Sequence, residues 1–149
     1  MAQTYFGSTL RAGSGSLTDT VDGGFVVTAQ TTTVTTVAAG TASSATLTLP
    51  ASSQIIDFYV DTVQDEVVGG GTATAIAMTI GTAAAGTQYV SSTDVIAGGR
   101  VALTFTAAQL AAMADIGTSQ SVVITVDPNG TISTTQAIYR LTVVYAQKV

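Results

Sequence analysis

Residues 54–63 read Gln54-Ile55-Ile56-Asp57-Phe58-Tyr59-Val60-Asp61-Thr62-Val63, and this stretch decides the fold. Ile56, Phe58 and Val60 recur at every second position, with Asp57, Tyr59 and Asp61 between them. A period of two belongs to a β-strand, whose side chains point alternately to opposite faces. The stretch is expected to be a strand with one face in an apolar core and an acidic face in water.

The same pattern extends in both directions. Phe25 to Thr36 is a long run of Val and Thr, residues that suit a pleated sheet. Ala45 to Leu49 alternates and stops at Pro50, which cannot donate to a strand ladder. Thr72 to Ile80, ended by Gly81, reads as the next strand, and Arg100 to Phe105 as another. Residues 82–99 read as a long loop holding a short strand pinned by Tyr89-Val90 and Val95-Ile96. Ser121 to Val126 turns Val122, Ile124 and Val126 inward. A return strand to Ala146 puts Tyr139, Leu141, Val143 and Tyr145 on one face. Between the two, Asp127-Pro128-Asn129-Gly130 has the residues of a tight turn, so a C-terminal hairpin is expected.

One window is helical. Thr106 and Gln109 make a capping box, Leu110, Met113 and Ala114 share a face, and Gly117 supplies a stop. A helix of about three turns over 106–116 is expected to plug one end of the β-structure. Eight or nine strands with one short helix signal an all-β sandwich, expected to be jelly-roll-like.

The chain has 149 residues, the size of one domain. Residues 1–16 read as an N-terminal arm, with Tyr5, Phe6 and Leu10 ahead of the flexible joint Arg11-Ala12-Gly13-Ser14-Gly15-Ser16. Residues 17–149 form a single domain whose body begins at Phe25, after an Asp22-Gly23-Gly24 turn.

Composition excludes several classes of function. There is no Cys and no His, so thiolate chemistry, imidazole acid–base chemistry and the commonest metal ligands are missing. The only cations are Arg11, Arg100, Arg140 and Lys148, against nine acids and a net charge of −5. Four scattered cations cannot track a phosphate backbone, and an acidic surface is repelled by anionic lipid. No apolar run is long enough to span a membrane as a helix, and the first residues lack the charged and apolar regions of a signal peptide. Synthesis in a cytoplasm without general secretion is the expectation. Charged residues make up 9% of the chain, against ~25% in ordinary domains. Thr, Ser, Ala and Gly take their place, giving a surface cheap to desolvate against a partner. The plainer alternative is a solvated sheet.

The candidate sites are few. A Ser–His–Asp or Cys–His arrangement is impossible here. Gly69-Gly70-Gly71 lacks the Gly-Lys-Ser/Thr of a phosphate loop and reads as a turn. Asp57 and Asp61 stand four residues apart on one strand face, about 13 Å, which exceeds the spacing of paired glycosidase carboxylates and makes them solvated charges. Asp61, Asp65 and Glu66 gather where a strand meets a loop, but without the D-x-[DN]-x-[DN]-G pattern of a calcium loop. Tyr59 lies between two Asp residues on the outer face. It suits either sugar contact or cover by a neighbouring strand or subunit, and cover is the favoured reading.

Beyond residues 55–63 come Met78-Thr79-Ile80-Gly81-Thr82, Gln88-Tyr89-Val90-Ser91-Ser92-Thr93-Asp94-Val95, Gly98-Gly99-Arg100, Gly130-Thr131, and Tyr139-Arg140-Leu141-Thr142-Val143-Val144-Tyr145. This succession, over residues 45–146, resembles the small β-rich virion proteins of tailed bacteriophages, especially head decoration (cement) proteins and short head or tail fibre proteins. The resemblance implies a jelly-roll-like homotrimer on the outer surface of the head that bridges major capsid protein subunits. It carries no functional residue with it. Tyr5, Phe6 and Leu10 of the arm, together with Tyr59, are the candidate protein contacts, the arm adding affinity by reaching a neighbour. No catalytic residue, metal, cofactor, nucleic acid or membrane partner is expected. The alternative is a phage tail, fibre or adhesin-type β domain that contacts the host.

Overall fold

The alternating stretch forms a strand, β3 (Ser53–Gln64). The computed structural model describes residues 25–65, 71–132 and 135–148. The N-terminal arm with Tyr5, Phe6 and Leu10, the joint after it, the Asp22-Gly23-Gly24 turn and residues 66–70 lie outside the described residues. In chain order the other elements are β1 (Phe25–Thr35), β2 (Ser43–Leu49), β4 (Ile76–Gly81), β5 (Val90–Asp94), α1 (Ala107–Ala114), β6 (Gln120–Pro128) and β7 (Ile138–Lys148).

The strands make two sheets, β1-β7-β3 and β2-β6-β4-β5, in which every pair is antiparallel. Phe58, Val60, Leu141 and Val143 of the first sheet meet Leu49, Met78, Ile80, Ile124 and Val126 of the second in one buried core. Each such side chain contributes about 1.5–3 kcal/mol by leaving water. The protein is an all-β sandwich with one short helix. A jelly roll has eight strands, whereas seven occur among the described residues, so the finer topology does not follow. No helix among the described residues is long and apolar enough to cross a membrane.

Five expectations need correction. First, Ile56 does not join Phe58 and Val60 in the core: it is 49% exposed, and Ile55 is buried in its place. Pairing with β7 runs Ile55 to Tyr145 and then Asp57 to Val144, so Ile56 is the extra residue of a bulge. The extra residue flips the alternation by one position.

Second, β6 and β7 are not a hairpin but belong to opposite sheets. Each is an interior strand of its own sheet, and their apolar residues meet across the core. The turn between them is tied to the approach of β4. Asn129 Oδ1 accepts from the Thr74 and Ala75 amides at 2.8 and 3.1 Å. Thr72 and Thr131 bond reciprocally, which also holds residues 72–75 out of β4.

Third, residues 100–105 are not a strand. Among the described residues their main chain joins β3 in one isolated bridge, Asp61 with Arg100, where the Thr62 amide donates to Gly99 and the Val101 amide to Val60. The alternation of Val101, Leu103 and Phe105 is real, but it closes the side of the sandwich instead of extending the sheet.

Fourth, α1 is shorter than expected and rotated. The capping box forms, with the Thr106 amide donating to Gln109 Oε1 at 2.8 Å. Gln109 Nε2 also donates to Thr87 O and Ser91 Oγ. This draws Gln109 and Met113 inward and leaves Leu110 52% exposed. The helix ends before Gly117 because the Ile116 amide donates to Ser53 O and Gly117 O accepts from Ser52.

Fifth, β6 does not alternate: Val123 and Thr125 are buried beside Val122, Ile124 and Val126. Residues 82–86 fold over its outer face, where the Ala85 amide donates to Thr125 Oγ1.

Candidate functional site

The outer face of the β1-β7-β3 sheet is a lattice whose rows follow from the registers. Thr33, Arg140 and Asp61 form one row. Thr31, Thr142 and Tyr59 form the next, and Ala29, Val144 and Asp57 a third. The bulge adds Ile56 to the third row. Odd-numbered residues of β1 and even-numbered residues of β7 face outward because Val34, Tyr139, Leu141 and Val143 face the core.

Asp61 is the electrostatic centre of this face. Arg100 Nε donates to Asp61 Oδ1 at 2.7 Å, and Arg100 Nη2 to Oδ2 at 3.3 Å. Arg140 Nη2 donates to the same Oδ2 at 3.3 Å. The hydrogen bond from Arg100 is the main reason the Asp61 carboxyl is held below the usual carboxylate range, with Arg140 adding to it. The same pair pushes the Arg100 guanidinium up. Two of the chain's four cations thus converge on one carboxylate.

Arg100 also covers Tyr59, its Cζ lying 5.2 Å from the ring centroid, a cation–π distance. The Asp57 carboxylate beside it raises the Tyr59 phenol above its ordinary pKa, so the hydroxyl stays protonated and can donate. Where residues 101–105 part from β3, an open groove of about 380 Å³ forms. Asp57, Tyr59 and Arg100 line its rim, and Phe58, Leu103 and Phe105 its floor. The floor is fixed because the Phe58 ring packs on Tyr89 and Phe105, at centroid distances of 5.6 and 6.5 Å.

No protein-family model matches the chain, and no curated protein and no solved structure does either.

Of the candidate contacts, only Tyr59 lies among the described residues. Among the described residues no strand covers it: it is 37% exposed, shielded on one side by Arg100. Asp57 and Asp61 both lie on the outer face, as expected, but Asp61 is held in ion pairs and is not a freely solvated charge. Asp57 Oδ1 accepts from the Phe58 amide, and the Asp61 side chain is 18% exposed and doubly paired. With both oxygens engaged by guanidinium groups, Asp61 is poorly placed to join Asp65 in holding a cation. Sequence reading missed Arg100 and Arg140. The available signal was the scarcity of cations combined with the outward parity of Arg140 and Asp61, but only the strand register joins them.

In chemical terms the arrangement suits recognition. It offers an aromatic face, a phenolic donor and an acceptor at Asp57 on β3, with a guanidinium 65% exposed on the adjoining segment.

Proposed function

We propose that this chain is a non-enzymatic structural protein of a virion, decorating the outside of a bacteriophage head and stabilising it by binding major capsid protein subunits. The observation that carries the reading is the outer face of the β1-β7-β3 sheet. It is broad, rich in Thr and short of net charge, with Tyr59, Arg100 and Arg140 at one end. Tyr and Arg dominate the energetics of protein interfaces, and a low-charge surround loses little on desolvation. The net charge of −5 favours a position outside the shell, away from packaged nucleic acid. The resemblance to decoration proteins over residues 45–146 supplies the partner.

A second reading, a tail, fibre or adhesin-type domain that contacts the host, is favoured by the groove. A tyrosine beside a carboxylate over an apolar floor suits a saccharide.

Immunogold labelling of particles purified from cells that express the chain tests both readings. Gold over the heads is expected. Gold confined to the tail tip selects the second reading, and particles without gold overturn both. The Tyr59→Ala/Arg100→Ala double variant should bind capsids at least tenfold more weakly while keeping its fold, the cost of about two interface side chains.

A further inference from the structure

A sandwich of two open sheets has four edge strands: β1 and β3 in one sheet, β2 and β5 in the other. Unpaired edges invite pairing with another chain, and proteins protect them with charges, bulges, short strands or covering segments. Here the protection is one-sided. β3 carries Asp57 and Asp61, two register shifts and the covering segment Gly99–Val101. β5 has five residues, a register shift on its pairing with β4 and a closing Asp94.

Among the described residues the opposite side is less protected: on β1 only the Thr35 carbonyl, at its end, is engaged from that side, by the Ser43 hydroxyl. β1 is 11 residues long, pairs with β7 without a register shift, and contains no charged residue and no proline. Residues 23–56, which include β1 and β2, hold no charged side chain at all. The edge of β1 has no strand partner among the described residues. Its Val26 and Val27 are 55% and 62% exposed although they stand on opposite faces of the strand.

We infer that β1 is a pairing edge for a second copy of this chain, joined antiparallel to the same strand about a two-fold axis. An antiparallel pair of identical strands is self-complementary, so each backbone donor finds the matching acceptor. The register of greatest overlap centres Gln30 on its own copy. It sets the outward residues Val27, Ala29, Thr31 and Thr33 against the same four in reverse order. No like charges oppose one another in any register, and the acids at Asp57, Asp61 and Asp94 remain on the far side. Sheet order becomes β3-β7-β1 continued by β1-β7-β3 of the second copy, and both Val26 and Val27 lose exposure. The edge is roughly 37 Å long at ~3.4 Å per residue and buries on the order of 500 Å² per copy, below the ~800 Å² of a standard interface. Association weaker than that of a standard interface is expected. The product is a two-fold pair, in contrast to the three-fold assembly implied by the resemblance to decoration proteins, and it does not depend on the capsid reading.

Sedimentation equilibrium of the full chain at tens of micromolar should give the mass of two copies, in exchange with one. The Ala29→Lys/Thr31→Lys variant sets lysines against lysines across the axis and should associate at least tenfold more weakly, with an unchanged circular dichroism spectrum. Mixing it with the Ala29→Glu/Thr31→Glu variant should restore a pair, by native mass spectrometry a mixed one. That restoration separates loss of pairing from loss of fold. A single-copy or three-copy mass for the wild type overturns the inference, as does a lysine variant that pairs as well as the wild type or a mixture that stays unpaired.

Discussion

Asp61 shows how much one side chain organises. It lies on the outer face of β3, yet it gathers Arg100 from a segment that follows β5 and Arg140 from β7. Its folded pKa is lowered, chiefly by the hydrogen bond from Arg100. The sign of the pH effect follows by linkage. The unfolded chain takes up the proton first as pH falls. The stabilisation is therefore whole above the ordinary carboxylate pKa of about 4 and is lost as pH drops through the lowered folded value. Asp61→Asn should be less stable than the wild type at neutral pH. The margin should be small because both guanidinium groups are substantially exposed, and smaller still in molar salt. Urea midpoints of the two proteins should converge in acid, and a margin that persists below the folded pKa would mean that the ion pairs are not its source. The outward parity of Asp61 was legible in the sequence. Its partners were not, because Arg100 and Arg140 stand 39 and 79 residues away.

Strand existence is set by local pattern, whereas the phase of a strand is set by its neighbours. The alternation around Phe58 and Val60 located β3, and the capping box of Thr106 and Gln109 located α1. Both were also misread in orientation. Ile55-Ile56 offers two equivalent residues where one fits, and the bulge against β7 decides between them. Similarly, Leu110 is the larger apolar side chain, but the bonds of Gln109 to Thr87 and Ser91 fix which side of α1 faces inward. The bulge makes a sharp prediction about adjacent, identical residues. Ile55→Ala opens a cavity in the core and should cost about 2–4 kcal/mol. Ile56→Ala trims a side chain that is 49% exposed and should cost under about 1 kcal/mol. Chemical unfolding of the two variants measures the difference. Equal costs would mean that the bulge lies elsewhere.

At the scale of the whole molecule, the decisive events are crossings between sheets, and these leave the faintest trace in sequence. Asp127-Pro128-Asn129-Gly130 has the composition of a hairpin turn, but the chain there leaves one sheet for the other. The β1–β2 connection makes a second crossing, and the two meet: the Ile132 amide donates to Ala38 O. They approach so closely at Gly40 that a Cβ there would strike the Gly130 carbonyl. Gly40 also has φ +71°, in the left-handed region that side chains disfavour. Gly99 provides a matched control, since its φ is +79° but nothing lies within 4 Å of its notional Cβ. Gly99→Ala should therefore cost only the backbone strain, about 1–2 kcal/mol. Gly40→Ala should cost that plus about 1–3 kcal/mol of overpacking between two backbones that cannot yield separately. Thermal unfolding of both variants gives the difference directly. If the two cost the same, the crossings do not press on each other at Gly40. If Gly40→Ala is the costlier, the contact between the two connections is part of what holds the sheets in register over the core.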